Sequence, residues 1–307
     1  MSQFSVYLPK LLTKDEFFLS GRRSCQGCGK ALAARLTSKT IRDAAAVSAN
    51  AAPPRYPYAA SLTAQSYAYD ELTCEPLIEN LLTAIQQINA SAPGEAQKGP
   101  ARIKKAVIGL DRKIFASEQL VAAKVFGQSG AALYLCFDNE PHIDKLIRRL
   151  NPPAFKLAEV AHPMSGPEVK AVIREKNIPA AVAEGQFSYI ATACPSYPLD
   201  FIEKVKKALA CSGNAFISVL TPCPTGWVFV PKLTVKVGLL AVKTGYFPLY
   251  EIEHGRVRIT QPLQNRKPVQ DYLKMQKRFF TFPQELIPVV QEAVNEEYAE
   301  LLQQARA

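Results

Sequence analysis

The sequence predicts an α/β fold with a doubly wound, mostly parallel sheet, and three observations carry that prediction. Four short apolar runs, AVIGL (106–110), AALYLCF (131–137), SYIATA (188–193) and NAFISVLTP (214–222), read as buried strands. Stretches with apolar residues at helical spacing alternate with them, and that alternation implies parallel pairing. Polar or thiol side chains then follow the strands directly: Asp111 after the first, Asn139 after the second, Cys223 after the last. Open α/β sheets place ligands at the carboxyl ends of their strands, where these three residues fall.

Each element has its own local signal. Residues 1–24 read as an extended N-terminal arm with one amphipathic turn. GKALAARLTSKTIRDAAA (29–46) has apolar positions at helical spacing. Residues 47–50 resemble a strand end, and AAPPRYPYAA is a proline-rich loop. Glu75–Ile88 reads as a helix that tolerates Pro76 in its first turn. Residues 90–104 form a loop, and Ser117–Gly127, 155–161 and 167–175 carry helical patterns. Leu199–Ala210 is a helix with a basic face. Beyond residue 230 the pattern changes: LTVKVGLLAVKTG is helical and stops at Gly245. YFPLYEIEHGRVRITQPL alternates like a short hairpin turning at His254-Gly255. The stretch from Pro283 is an amphipathic helix. The expected organisation is an arm over 1–24, an α/β domain over 25–245, and a hairpin and helical tail over 246–307 that packs on the domain or on a partner subunit.

Bulk properties narrow the function. With 307 residues, 48% of them hydrophobic, the chain can bury a substantial core. No apolar run approaches the ~20 residues of a membrane span, so no membrane partner is expected. Lys10, Lys14, Asp15 and Glu16 interrupt the N-terminal apolar residues, which excludes a secretory signal pattern. A cytoplasmic protein is the expectation. The seven cysteines are odd in number and scattered, so they read as thiols or metal ligands rather than a disulfide framework. Cys136 reads as a core thiol and Cys211 as structural. A formal charge of +10 is either a solvated basic surface or an attraction to an acidic partner, such as a small electron carrier or another subunit. No nucleic-acid motif accompanies it.

The densest chemistry lies in Cys25-Gln-Gly-Cys28-Gly29 at the start of the first helix, answered by Thr-Pro-Cys223-Pro-Thr-Gly-Trp227. Two thiolates three residues apart at a helix N-terminus can grip one metal centre, because the helix dipole favours their charge. Cys223, between two prolines, sits on a stiff loop. The histidines 142, 162 and 254 make no metal-ligand spacing, and there is no Ser-His-Asp, HExxH or Walker pattern.

Together SCQGCGKALAARL, SYIATACPSYPLDFIEKVKKAL, FISVLTPCPTGW, LAVKTGYFPLYEIEHGRVRI and KPVQDYLKMQKRF resemble the β subunit of the 2-oxoacid:ferredoxin oxidoreductases, the pyruvate synthase family. The likeness covers nearly the whole chain, is strongest in the C-terminal half and is poor from about residue 50 to 130. It implies a sheet of the thiamine-diphosphate-binding type, bound thiamine diphosphate with Mg²⁺, and a 4Fe–4S cluster. It also implies α and γ/δ subunits in one complex, and a ferredoxin-type acidic electron carrier. The activity implied is oxidative decarboxylation of a 2-oxoacid to an acyl-CoA.

Carried over residue by residue, the resemblance gives Cys25, Cys28 and Cys223 as cluster ligands. The fourth falls near Asn50-Ala51-Ala52, where Ala52 stands in the expected cysteine position. Cys74 or Cys194 as a substitute, a three-cysteine cluster, zinc and no metal are the open alternatives. Asp111 and Asn139 match the Mg²⁺ ligands, with Gly29 beside them among the cofactor-binding residues. Arg112 replaces a glycine of the diphosphate turn, which either adds a phosphate contact or blocks the pocket. The alternative function is a degenerate, non-catalytic paralogue that keeps the fold and interfaces and serves as a structural or electron-handling partner.

Overall fold

Strands buried on both faces must pair on both edges, and that requirement organises the molecule. The structure, a computed structural model, describes residues 25–45, 106–111, 132–150, 164–175 and 187–306. In it β1 (Ala106–Asp111), β2 (Ala132–Asp138), β3 (Phe187–Ala193) and β4 (Asn214–Leu220) are parallel, in the order β1-β2-β4-β3. Residues 133–137 of β2 and 215–220 of β4 are all buried. That explains why their sequences run apolar without alternation.

The sheet is mixed rather than wholly parallel. A hairpin, β5 (Tyr250–Glu253) and β6 (Arg256–Ile259), continues it antiparallel from the edge of β3, with Ala191 opposite Glu251 and Ile190 opposite Ile252. Its two-residue turn has positive φ at both His254 (52°) and Gly255 (76°). This is the primed geometry that matches strand twist.

The first helix, α1 (Gly29–Ala45), follows the predicted span, and it packs with α4 (Pro198–Ala210) on one face of the sheet. There Ala33, Leu36, Phe201 and Val205 meet Leu133, Leu135, Ala191 and Ile217. A second apolar cluster joins α2 (Pro141–Leu150), α3 (Gly166–Arg174), α6 (Thr234–Lys243), α7 (Val269–Leu273) and α8 (Ile287–Gln304) around Trp227, Tyr246 and Tyr272. Trp227 ends a single helical turn, α5 (Pro224–Trp227). The C-terminal helix α8 lies on α3 of its own chain, where Lys170 Nζ reaches Glu292 and Glu296 at 2.9 Å each. Cys136 is fully buried, and the half-buried Cys211 thiol donates to the Ala208 carbonyl at 3.4 Å, both as expected of structural thiols. Among the described residues no helix is long and apolar enough to cross a membrane. The patterns assigned to 1–24, 47–104, 112–127 and 155–161 lie outside the described residues.

Candidate cofactor site at the strand ends

Parallel register brings the predicted residues to one edge. Asp111 is level with Phe137, and Phe137 with Val219, so β1, β2 and β4 end side by side. Asn139 lies two residues past Phe137, and Cys223 three past the end of β4. The Thr221 N–H donates to the Asp138 carbonyl at 2.7 Å, which ties the two departing loops together.

Three hydrogen bonds build the cysteine corner, two of them between backbone groups. The Cys28 N–H donates to the Cys25 carbonyl at 3.1 Å and closes the turn between the two thiols. Gly27 sits in the left-handed region at φ 71°, and its carbonyl accepts from Thr234 Oγ1 at 2.6 Å. The Gly29 N–H donates to the Pro222 carbonyl at 3.1 Å. That N–H is engaged by the Cys223 loop. A Cβ on Gly29 would meet the Pro222 oxygen at 2.6 Å and its nitrogen at 2.7 Å, so only glycine permits this approach. The start of α1 is thereby held against the residue preceding Cys223.

Cys25 is exposed, while Cys28 and Cys223 are half-buried. Burial pushes the Cys223 thiol up, and negative charge on Cys28 and Cys25 pushes the same way; the Gly226 N–H and Lys30 oppose both. Among the described residues, no three His, Cys, Asp or Glu side chains are gathered tightly enough to hold a metal ion. The donor chemistry nonetheless fits a soft metal centre: three thiols, one already accepting a backbone N–H at 3.3 Å from Gly226. A bound cation would supply the positive charge that draws Cys223 to its thiolate. Ala52 and Cys74 lie outside the described residues. Cys194 has a different setting: it is fully buried, packed where Gly238 leaves space, and burial raises its thiol to about 11.

On the other side of the edge stands Asn139. Its carbonyl accepts the Trp227 Nε1–H at 2.8 Å. Its own Oδ1 is buried and has no hydrogen-bond partner among the described residues. An orphaned buried oxygen of this kind suits a hard cation, which takes oxygen ligands. Asp111 is at the end of the neighbouring strand, and Arg112 lies outside the described residues.

Behind Asn139 lies a feature that sequence reasoning missed. Glu140 is fully buried with φ 57°, a left-handed conformation that L-residues adopt at a cost of about 1–2 kcal/mol. Its N–H donates to Asp138 Oδ1 at 2.7 Å. Its carboxylate pairs with Arg278 and accepts from the Tyr272 hydroxyl at 3.1 Å. Burial pushes the Glu140 carboxyl up, and the Arg278 charge pulls it back. Arg278 also reaches Asp144 Oδ1 at 3.3 Å and places its guanidinium 4.3 Å from the Trp227 ring centroid. The nearest sequence signals were the Gly-Trp that closes the cysteine motif and the KPVQDYLKMQKRF segment that contains Arg278; nothing in either pairs Arg278 with Glu140, 138 positions away.

The described residues thus give an open, mostly parallel α/β sheet with three thiols and a buried amide oxygen near the carboxyl ends of its strands. No family model matches the chain. Individual relatives do. The chain is 36% identical over 304 residues to pyruvate synthase subunit PorB of Methanocaldococcus jannaschii, covering 92% of this chain and 95% of that one. It is 34% identical over 298 residues to the PorB subunit of Methanothermobacter marburgensis, covering 94% and 99%. To ketoisovalerate oxidoreductase subunit VorB of Pyrococcus abyssi it is 32% identical over 295 residues, covering 94% and 93%. The chain belongs to this family, the β subunits of the 2-oxoacid:ferredoxin oxidoreductases.

Proposed function

We propose that the chain works as the β subunit of a 2-oxoacid:ferredoxin oxidoreductase in the cytoplasm, with α and γ/δ subunits, and passes electrons to an acidic ferredoxin-type carrier. The sheet is then of the thiamine-diphosphate-binding type. Asp111 and Asn139 would hold Mg²⁺, which would neutralise the diphosphate, and Arg112 would be a further cofactor-binding residue. Cys25, Cys28 and Cys223 hold an iron–sulfur cluster whose fourth ligand is not a cysteine at position 52. When bound, thiamine diphosphate supplies the nucleophile that makes 2-oxoacid decarboxylation possible, and the cluster supplies a one-electron outlet. The protein's part is placement. Asp111 and Asn139 belong to the ends of neighbouring strands, and the Gly29–Pro222 contact ties the start of the first helix to the Cys223 loop.

The observation that carries the reading is the Asn139 side chain: a buried oxygen without a partner among the described residues, at the strand end next to that of Asp111. Ala52 and Arg112 support the second reading, a paralogue that keeps the assembly and has lost one or both cofactors. Anaerobic purification with the other subunits, followed by assay of iron, sulfide and thiamine diphosphate per chain, separates the two. The catalytic reading expects all three in the wild type. It also expects Asn139→Ala to lower thiamine diphosphate retention about tenfold or more while iron stays. A wild-type complex that carries none of the three leaves only the paralogue.

A further inference from the structure

The two halves of the site are joined through one side chain. Trp227 lies four residues after Cys223, and its N–H donates to the Cys223 carbonyl at 2.8 Å. The residue before it, Gly226, donates its N–H to Cys223 Sγ at 3.3 Å. The Trp227 indole, fully buried, donates Nε1–H to the Asn139 carbonyl at 2.8 Å. Arg278 sits over that indole, 4.3 Å from the ring centroid, and pairs with Glu140, the next residue after Asn139. Trp227, Asn139, Glu140 and Arg278 therefore form a closed ring of contacts. One end of it is bonded to a cluster-side cysteine. The other carries the orphaned Asn139 oxygen.

We propose that Trp227 is a positioning residue that couples the two sites: a change at Cys223 is transmitted through the α5 turn and the indole N–H to the aim of the Asn139 side chain, and the reverse. The geometry favours this over independent sites. A turn of four residues cannot shift Cys223 without moving Gly226 and Trp227. The indole cannot move without breaking the Asn139 bond or the Arg278 stack. A contiguous packed element with differential contacts in two states can carry energetic coupling between sites. By linkage the effect is reciprocal. This inference rests on the assignment of the two cofactors made above.

The test measures linkage instead of turnover. The full chain is prepared with and without iron–sulfide reconstitution, and the dissociation constant of Mg²⁺–thiamine diphosphate is measured on both forms by equilibrium dialysis. In the wild type the two constants are expected to differ about fivefold or more, the usual lower range of allosteric coupling. In Trp227→Phe, which keeps a ring under Arg278 and removes the N–H, the ratio is expected to fall to near one. A second readout needs no variant. Trp227 is the protein's single tryptophan, so its emission is expected to move both on reconstitution and on adding Mg²⁺–thiamine diphosphate. Equal constants in the two wild-type forms, an unmoved emission, or a ratio that survives in Trp227→Phe overturns the coupling alone. Failure of the wild type to bind either cofactor overturns the functional assignment and the coupling with it.

Discussion

Glu251 fastens the hairpin to the rest of the sheet. It is buried on β5, where it accepts from the Tyr189 hydroxyl at 2.9 Å on β3, Lys207 Nζ at 2.7 Å on α4 and Arg258 Nε at 2.8 Å on β6. Burial acts to raise its pKa, but the hydrogen bonds from Lys207, Arg258 and Tyr189 outweigh burial and hold the carboxyl below its ordinary value. A carboxyl depressed in the folded state binds fewer protons than in the unfolded chain. Its stabilisation is therefore complete above the unfolded pKa of about 4.3 and fades as pH falls through the lower, folded value. Glu251→Gln is expected to cost about 1–2 kcal/mol at neutral pH. It should also flatten the stability loss between roughly pH 5 and 3, as read from chemical denaturation across that range. A mutant whose acid limb matches the wild type would remove Glu251 from this role. None of this was legible in the sequence. In YEIEHGRVRI, Glu251 is one more residue in an alternating pattern, and its partners Lys207 and Tyr189 stand 44 and 62 positions away. Local periodicity carries no information about pairs that distant.

At the scale of elements, two glycines show what a turn and a close approach each require. Gly255 has φ 76° and nothing within 4 Å of where a Cβ would stand, so Gly255→Ala meets only backbone strain, about 1–2 kcal/mol. Gly29 has an ordinary helical setting, but the Pro222 and Thr221 backbone lies 2.6–2.8 Å from the point an alanine Cβ would occupy. Backbone cannot swing aside, so Gly29→Ala must push α1 away from the Cys223 loop, at a cost of about 1–3 kcal/mol. The two variants are expected to lower the melting temperature by similar amounts and to differ in iron. Gly255→Ala should keep the wild-type iron content, and Gly29→Ala should lose most of it. Equal iron in both would mean the helix–loop contact does not place the thiols. Most elements here were readable in advance, because buried parallel strands and amphipathic helices imprint their periods on the chain. The spans 106–110, 131–137, 188–193 and 214–222 fall on the four observed parallel strands to within a residue or two at each end. The helix α2 was missed. The left-handed Glu140 that launches it leaves no composition signal. The hairpin was legible as a hairpin; its pairing with β3 was not, since edge selection depends on Tyr189 and Glu251 meeting in space.

For the whole molecule, the net charge of +10 was visible at once and its placement was not. Around the cysteine corner the structure sets Lys232 and Lys236, both exposed, beside Val228, Val230 and Val235, which remain exposed despite their apolar side chains. Pro231, next to Lys232, stands where a Cβ on Gly27 of the thiol turn would meet its oxygen at 2.5 Å, and Lys30 acts electrostatically on Cys223. An apolar patch edged by cations is a surface suited to an acidic protein. On the function proposed above, it is the face that an acidic electron carrier would approach. Steering of this kind acts over roughly a Debye length, about 10 Å at 0.1 M salt, and weakens as salt rises. Reversing both charges, Lys232→Glu with Lys236→Glu, is therefore expected to lower the second-order rate of reduction of an acidic carrier about tenfold at low ionic strength. Both side chains are exposed and remote from the core, so melting temperature and iron content should hold. The gap between mutant and wild type should close as salt approaches about 1 M, where the screening length is near 3 Å. Stopped-flow reduction at several salt concentrations reads this directly. A double mutant with wild-type rates at low salt would place the carrier on another face. A deficit that persists at high salt would point to lost contact area rather than lost steering.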